Sequence, residues 1–119
     1  MRIIVAGSRT FDDYALLKRT MDRIAKAAGG EIVVLSGHCI GADRMGEEWA
    51  NESGFSCEIH HSDWARLGKK AGMVRNSAMV AAADAMVVFR SGRMDEVLED
   101  LLARARKAKL KIKMVGAEP

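Results

Sequence analysis

The segment VVLSGHCIGADRMGEEWA, residues 33–50, passes from an apolar run through two glycines into a charged, helix-like stretch. Val33, Val34 and Leu35 form an unbroken apolar run, the pattern of a strand covered on both faces. Gly37 and Gly41 follow; glycine tolerates positive φ and lets the main chain approach a neighbour closely. A helix is expected from about Asp43 to Ser53, with Gly54 as its stop. The segment therefore reads as strand, tight loop and helix, and amides at such a helix start favour an anion.

The same alternation continues in both directions. IIVA (3–6) is a first strand, and Asp12 or Asp13 can cap a helix on which Leu17, Met21, Ile24 and Ala28 recur at helical spacing. FSCEIH (55–60) is a weaker third strand, in which Cys57 reads as a small core residue. HSDWARLGKKAG (61–72) is the longest irregular piece, and an alanine-rich helix from about Met73 to Ala83 follows it. DAMVVFR (84–90) is a fourth strand. Met94, Val97, Leu98, Leu101, Leu102 and Ala105 mark a last helix, and LKIKMV (110–115) alternates as an edge strand does. This order predicts an α/β, Rossmann-like, three-layer fold. Its doubly wound parallel sheet would have about five strands in the order 3-2-1-4-5, within one domain over residues 1–119. Such sheets bind ligands at the carboxyl ends of their strands, where the strand order reverses.

Composition narrows the classes. The chain has 119 residues, 49% hydrophobic and 29% charged, as expected for a single globular core. No apolar run approaches the roughly 20 residues of a membrane helix, and MRIIVAGSR holds too short an apolar stretch for a signal peptide. The expected location is the cytoplasm, with no membrane partner. Cys39 and Cys57 are expected to be reduced. RARKAKLKIK (104–113) carries six cations and no acid. That admits a nucleic-acid surface, but a solvated helix end is preferred because no aromatic interleaves it.

The loops at the expected carboxyl edge hold the candidate chemistry. After strand one, Gly7 allows a tight turn, Ser8 offers a hydroxyl and an amide, and Arg9 offers a planar donor fork suited to phosphate. Arg9 reads equally as the partner of a loop carboxylate. After strand two, neither G-x-G-x-x-G nor a Walker lysine is present. Asp43 reads first as a helix N-cap and second as a ribose-binding carboxylate. Cys39 lies at a helix start beside His38, but sequence neighbours usually point apart, so a nucleophilic thiol is not favoured. His60, His61 and Asp63 are too close in sequence to converge readily on a metal, and none is expected. Lys69, Lys70 and Arg75 gather positive charge around a helix start. The Arg75 charge is expected to emerge near the sheet edge, with Asn76 able to donate and accept. After strand four, Ser91 and Gly92 allow a tight turn, followed by Arg93, Asp95 and Glu96.

Together, VAGSRTF, LSGHCIGADRMGEEWA and GMVRNSAMVAAADAMVVF resemble the YspA/YpsA-related branch of the SLOG superfamily, often encoded by phages and bacteria. The resemblance runs from residue 1 to about 115 and rests on G-S-R, G-x-x-x-G-A-D and G-x-x-R-N in that order. It implies a Rossmann-like domain that binds or senses a nucleotide or nucleotide-derived molecule. The positions carried over are Gly7, Ser8, Arg9, Gly37, Gly41, Ala42, Asp43, Gly72, Arg75 and Asn76. Relatives include the Lonely Guy phosphoribohydrolases, which imply a nucleotide N-glycosidase with Asp43 or Glu96 as its carboxylate. However, SGRMDEV lacks their G-T pair and is shorter. The DprA-like relatives imply single-stranded DNA binding as a further alternative. No cofactor is implied. Pairing of two copies is common among relatives, and Trp49 or Trp64 is expected to offer an exposed face for it.

Overall fold

The computed structural model describes residues 1–116. The elements are β1 (Arg2–Gly7), α1 (Tyr14–Ala28), β2 (Val33–Ser36), α2 (Ala42–Ser53), β3 (Ser56–Ile59), α3 (Trp64–Leu67), a 3-10 turn (Gly68–Lys70), α4 (Ala71–Ala82), β4 (Ala85–Arg90), α5 (Glu96–Lys107) and β5 (Lys111–Gly116). The five strands form one sheet in the order β3-β2-β1-β4-β5, and every neighbouring pair is parallel. The Rossmann-like arrangement expected from the sequence is therefore present.

Side chains alternate across a strand, so β1 feeds two cores. Ile3 and Val5 pack with Leu17 and Met21 of α1 and Trp49 and Ala50 of α2. Ile4 and Ala6 pack with Met79 of α4 and Leu98, Leu101, Leu102 and Ala105 of α5. Helices α1 and α2 thus cover one face and α4 and α5 the other. The chain crosses between faces where it leaves β3 for α4, and the strand order reverses at β1 and β4. Two glycines make this packing possible. A Cβ on Gly7 would run into the Phe89 carbonyl of β4, and one on Gly46 would lie 2.7 Å from Val5 Cγ1.

Several expectations change. Helix α2 begins at Ala42 with Gly41 (φ 93°) as its N-cap, so Asp43 is not the cap but lies in the first turn. The long segment after β3 contains α3, capped by the Asp63 side chain on the Arg66 amide, and the 3-10 turn. Cys57 is exposed rather than in the core, because β3 is an edge strand of the sheet. Trp49 is buried, with its Nε1 donating to Asp22 Oδ1 at 2.9 Å, so it offers no face to a second copy. Trp64 is 56% exposed. Among the described residues, no helix is long and apolar enough to cross a membrane.

Candidate functional site

Gly37, the first residue after β2, is where three elements meet. A Cβ there would lie 2.7 Å from Arg75 Nη1 and 3.0 Å from Asp43 Oδ2. Only glycine lets the α4 guanidinium and the α2 carboxylate close on the loop together. Arg75 Nη1 donates to the Gly37 carbonyl at 3.1 Å and lies 3.6 Å from Cys39 Sγ, and Nη2 donates to Asn76 Oδ1 at 2.9 Å. Asn76 Nδ2 then donates to the Val97 carbonyl at 2.8 Å and to Asp100 Oδ2 at 3.1 Å. The chain of bonds runs from α5 through α4 to the loop after β2. Arg75 is 7% exposed and Asn76 fully buried. The Arg75 charge therefore does not emerge at the surface as expected, because its fork is drawn inward by main-chain and side-chain acceptors.

A buried guanidinium is costly without nearby acceptors or a counter-charge. Asp43 is 5% exposed, and its Oδ2 accepts from the Cys39 amide at 3.3 Å. Burial pushes its carboxyl up to about 6, while the Cys39 and Gly7 amides and the Arg75 charge pull it back down. Arg75 Nε has no hydrogen-bond partner among the described residues.

Beside this wall lies a cleft of about 240 Å³, lined by Arg9, His38, Cys39, His61, Trp64 and Arg75, with Gly37, Ser62, Gly72 and Val97 between them. A recess of about 20 Å³ lies against the same wall, lined in part by Gly7, Arg9, Asp43, Arg75 and Asp95. That is room for about one water molecule. Loops after β1, β2 and β3 contribute, together with α4 and the start of α5, so the cleft lies at the carboxyl edge of the sheet.

Arg9 projects from the loop after β1. Its Nε lies 3.1 Å from Asp95 Oδ2, and the side chains are 62% and 43% exposed. Asp95 Oδ1 caps α5 by accepting from the Leu98 amide at 2.8 Å. The pairing of Arg9 with a loop carboxylate is thus real, but an ion pair this exposed contributes no more than about 1 kcal/mol. A bound anion can compete for the guanidinium. The amide cradle expected after β2 is partly engaged already: the His38 amide donates to Ser36 Oγ at 3.0 Å and the Cys39 amide to Asp43.

Of the residues singled out in the sequence, Arg9, Gly37, Gly72 and Arg75 line the cleft, and Gly7 and Asp43 line the recess. Ser8 is buried, donating its amide to the Phe89 carbonyl at 2.9 Å and accepting from the Ser91 amide at 3.1 Å. It laces the loops after β1 and β4 together. Gly41 supports the loop after β1, since a Cβ there would lie 2.8 Å from the Arg9 carbonyl oxygen. Ala42, Asn76, Ser91 and Gly92 do not line the cleft. Glu96 is exposed on the outer side of α5, in a hollow with Arg93 and Glu99. His60 bonds Glu58 at 2.7 Å and Asp63 caps α3, so of the three residues weighed for a metal only His61 reaches the cleft. Asp95, expected with Arg93 and Glu96 as a polar group at the ligand edge, lines the recess, whereas His38, Trp64 and Val97 were not singled out as ligand-facing. The sequence signal for Trp64 is scarcity: it is one of two tryptophans and lies in a polar loop.

The family model described as "YAcAr: YspA, cpYpsA-related SLOG family" matches residues 1–67. Gly72, Arg75 and Asn76 lie beyond the matched segment. The chain is also similar to the Gene 61 protein of Mycobacterium phage D29, with 36% identity over 99 residues, covering 77% of this chain and 78% of that protein. No solved structure matches the chain significantly.

Proposed function

Because the chain belongs to the YspA, cpYpsA-related SLOG family, we propose that its cleft binds a nucleotide or nucleotide-derived small molecule. One observation carries this reading: Arg9 and Arg75, from segments far apart in the chain, line one cleft at the carboxyl edge together with an exposed indole and two imidazoles. Phosphate and base need different walls. An exposed guanidinium that can trade Asp95 for a phosphate supplies one, through charge-assisted, bidentate bonds. Trp64 and His61 supply flat π faces for a base. Arg75 is already committed to Gly37 and Asn76, so it contributes fixed positive charge behind the loop rather than a free fork. Asp43, behind Gly37, acts on the ligand only through the loop it holds.

The glycosidase reading finds less support. Glu96 lies outside the cleft, and both carboxylates at the recess are engaged: Asp43 with Cys39, Asp95 with Arg9 and Leu98. Native mass spectrometry of freshly purified protein is expected to reveal a bound small molecule. Calorimetry with AMP, GMP, ADP and ADP-ribose is expected to give saturable binding that Arg9→Ala weakens. A ligand-free protein that binds none of the four sinks the assignment.

A further inference from the structure

The loop after β2 holds one residue in an unusual backbone state. His38 has φ 62°, in the left-handed region that costs a residue with a Cβ roughly 1–2 kcal/mol. Three contacts fix it there. Its amide donates to Ser36 Oγ at 3.0 Å, its carbonyl accepts from Arg44 Nε at 3.3 Å, and its ring Nδ1 lies 2.8 Å from Glu47 Oε2 and 3.0 Å from Oε1. Ser36 Oγ closes the circuit by donating to Glu47 Oε2 at 2.7 Å. Glu47 is on α2, and its side chain is only 17% exposed.

This circuit assigns the protons. A carboxylate only accepts, so Nδ1 carries the hydrogen and the Nε2 lone pair is bare in the neutral ring. Among the described residues, Nε2 has no hydrogen-bond partner; His38 lines the cleft, its side chain is 39% exposed, and its ring centroid lies 5.8 Å from that of His61 at 71°. An imidazole oriented by a carboxylate on one nitrogen and open to a ligand on the other has the geometry of a general base. The sign of the surrounding charge says which bond it can help break. Arg9 and Arg75 are the cations that line the cleft with His38. They suit a transition state that gathers negative charge, as at phosphorus.

We propose that the cleft hydrolyses a phosphodiester in its nucleotide-derived ligand, with His38 as the general base and Glu47 as its positioning residue. This rests on the binding reading above. In the step, His38 Nε2 takes a proton from water as the water oxygen bonds to phosphorus. The bond from phosphorus to the leaving oxygen breaks, and that oxygen receives a proton, from the imidazolium or from solvent. One diester and one water give one monoester and one alcohol. Arg9 meets the charge that develops on the phosphoryl oxygens.

The test uses the full chain and the para-nitrophenyl ester of thymidine monophosphate, whose hydrolysis releases a coloured phenolate. Wild type is expected to release it catalytically. His38→Gly, which suits the left-handed backbone, should lower kcat about 100-fold or more, with free imidazole restoring part of the loss. Glu47→Gln should lower kcat and leave KM within about twofold, because the ring keeps its place but not its tautomer. Equal rates in wild type and both variants mark a contaminating activity and overturn the proposal. So does a loss in His38→Gly that imidazole does not touch while Glu47→Gln is fully active. Calorimetric binding of AMP with no release from the diester overturns hydrolysis and leaves the binding site standing; neither binding nor release removes both. If His38→Gly does not fold, the Glu47→Gln kcat decides alone.

Discussion

Arg75 and Arg9 bring the same group to one cleft under opposite conditions. The α4 wall around Arg75 is closed: the guanidinium is buried, its acceptors are a main-chain carbonyl and a buried amide, and Asp43 lies across Gly37 from it. The rim around Arg9 is open, with one exposed ion pair to Asp95 and with Trp64 and His61 in solvent. Burial makes the wall's interactions strong and mutually dependent, because a lost partner there leaves another group unsatisfied. Exposure makes the rim's interactions weak and exchangeable, as a surface that trades protein contacts for ligand contacts requires. The wall should therefore report on stability and the rim on binding.

The strongest way to break that division is to cut the wall. Arg75→Ala strands the Gly37 carbonyl, Asn76 Oδ1 and the Asp43 carboxylate in a buried space. Unfolding in urea should show a loss of about 3–5 kcal/mol, as a lower midpoint at unchanged slope. A loss under about 1 kcal/mol would show that the wall is not held through this residue. Asp43→Asn tests the same wall through pH. The folded carboxyl titrates at about 6 against 3.8 for the free group, so the folded state binds the extra proton between those values. Stability from this group is greatest below pH ~4, falls as pH rises to ~6 and is flat above. Wild type should lose about 3 kcal/mol across that window relative to Asp43→Asn, whose side chain does not titrate. Parallel pH profiles for the two proteins would show that Asp43 is ionised without penalty.

The sequence revealed the scaffold better than this wall, for physical reasons. β1, β2 and β4 are buried on both faces, so their apolar runs are continuous, and the strand order follows from the handedness of the crossovers. Asp43 was misplaced because one residue decides it: Gly41 takes the N-cap at φ 93°, and Asp43 turns into the first helical turn, inward rather than outward. No periodicity distinguishes those two registers. Cys57 looked like core because its strand is mildly apolar, but whether a strand has cover on a given face is a tertiary fact. Helix α3 has four residues, too few to leave a period. Arg75 and Asn76 stood out as polar residues at a helix start. That their donors would turn on Gly37 and α5 depends on contacts between segments far apart in the chain.

At the rim the effects should be smaller and of the other kind. Arg9→Ala should weaken binding of a phosphorylated ligand by about 2 kcal/mol, roughly thirtyfold, while stability moves by no more than about 0.5 kcal/mol. Raised salt should weaken wild type more than the variant, since an exposed cation is screened. Calorimetry at two ionic strengths reads both. A variant that unfolds easily but binds normally would place Arg9 with the wall.

Trp64 gives the smallest effect and the sharpest test of position. Truncation to alanine should cost about 1 kcal/mol of ligand affinity, the low end for a stacked base. Its emission is separable because Trp49, the other tryptophan, is sealed between Phe55 and Asp22, with ring centroids 5.5 Å apart and an Nε1 bond of 2.9 Å. A ligand stacking at the rim should quench the exposed indole and leave the buried one unchanged. Trp64→Phe should then keep most of the affinity and lose nearly all of the quench. If the quench survives that substitution, the ligand is disturbing Trp49 from a distance. Binding would then be acting through the α2 core, and the open rim would not be where the base lies.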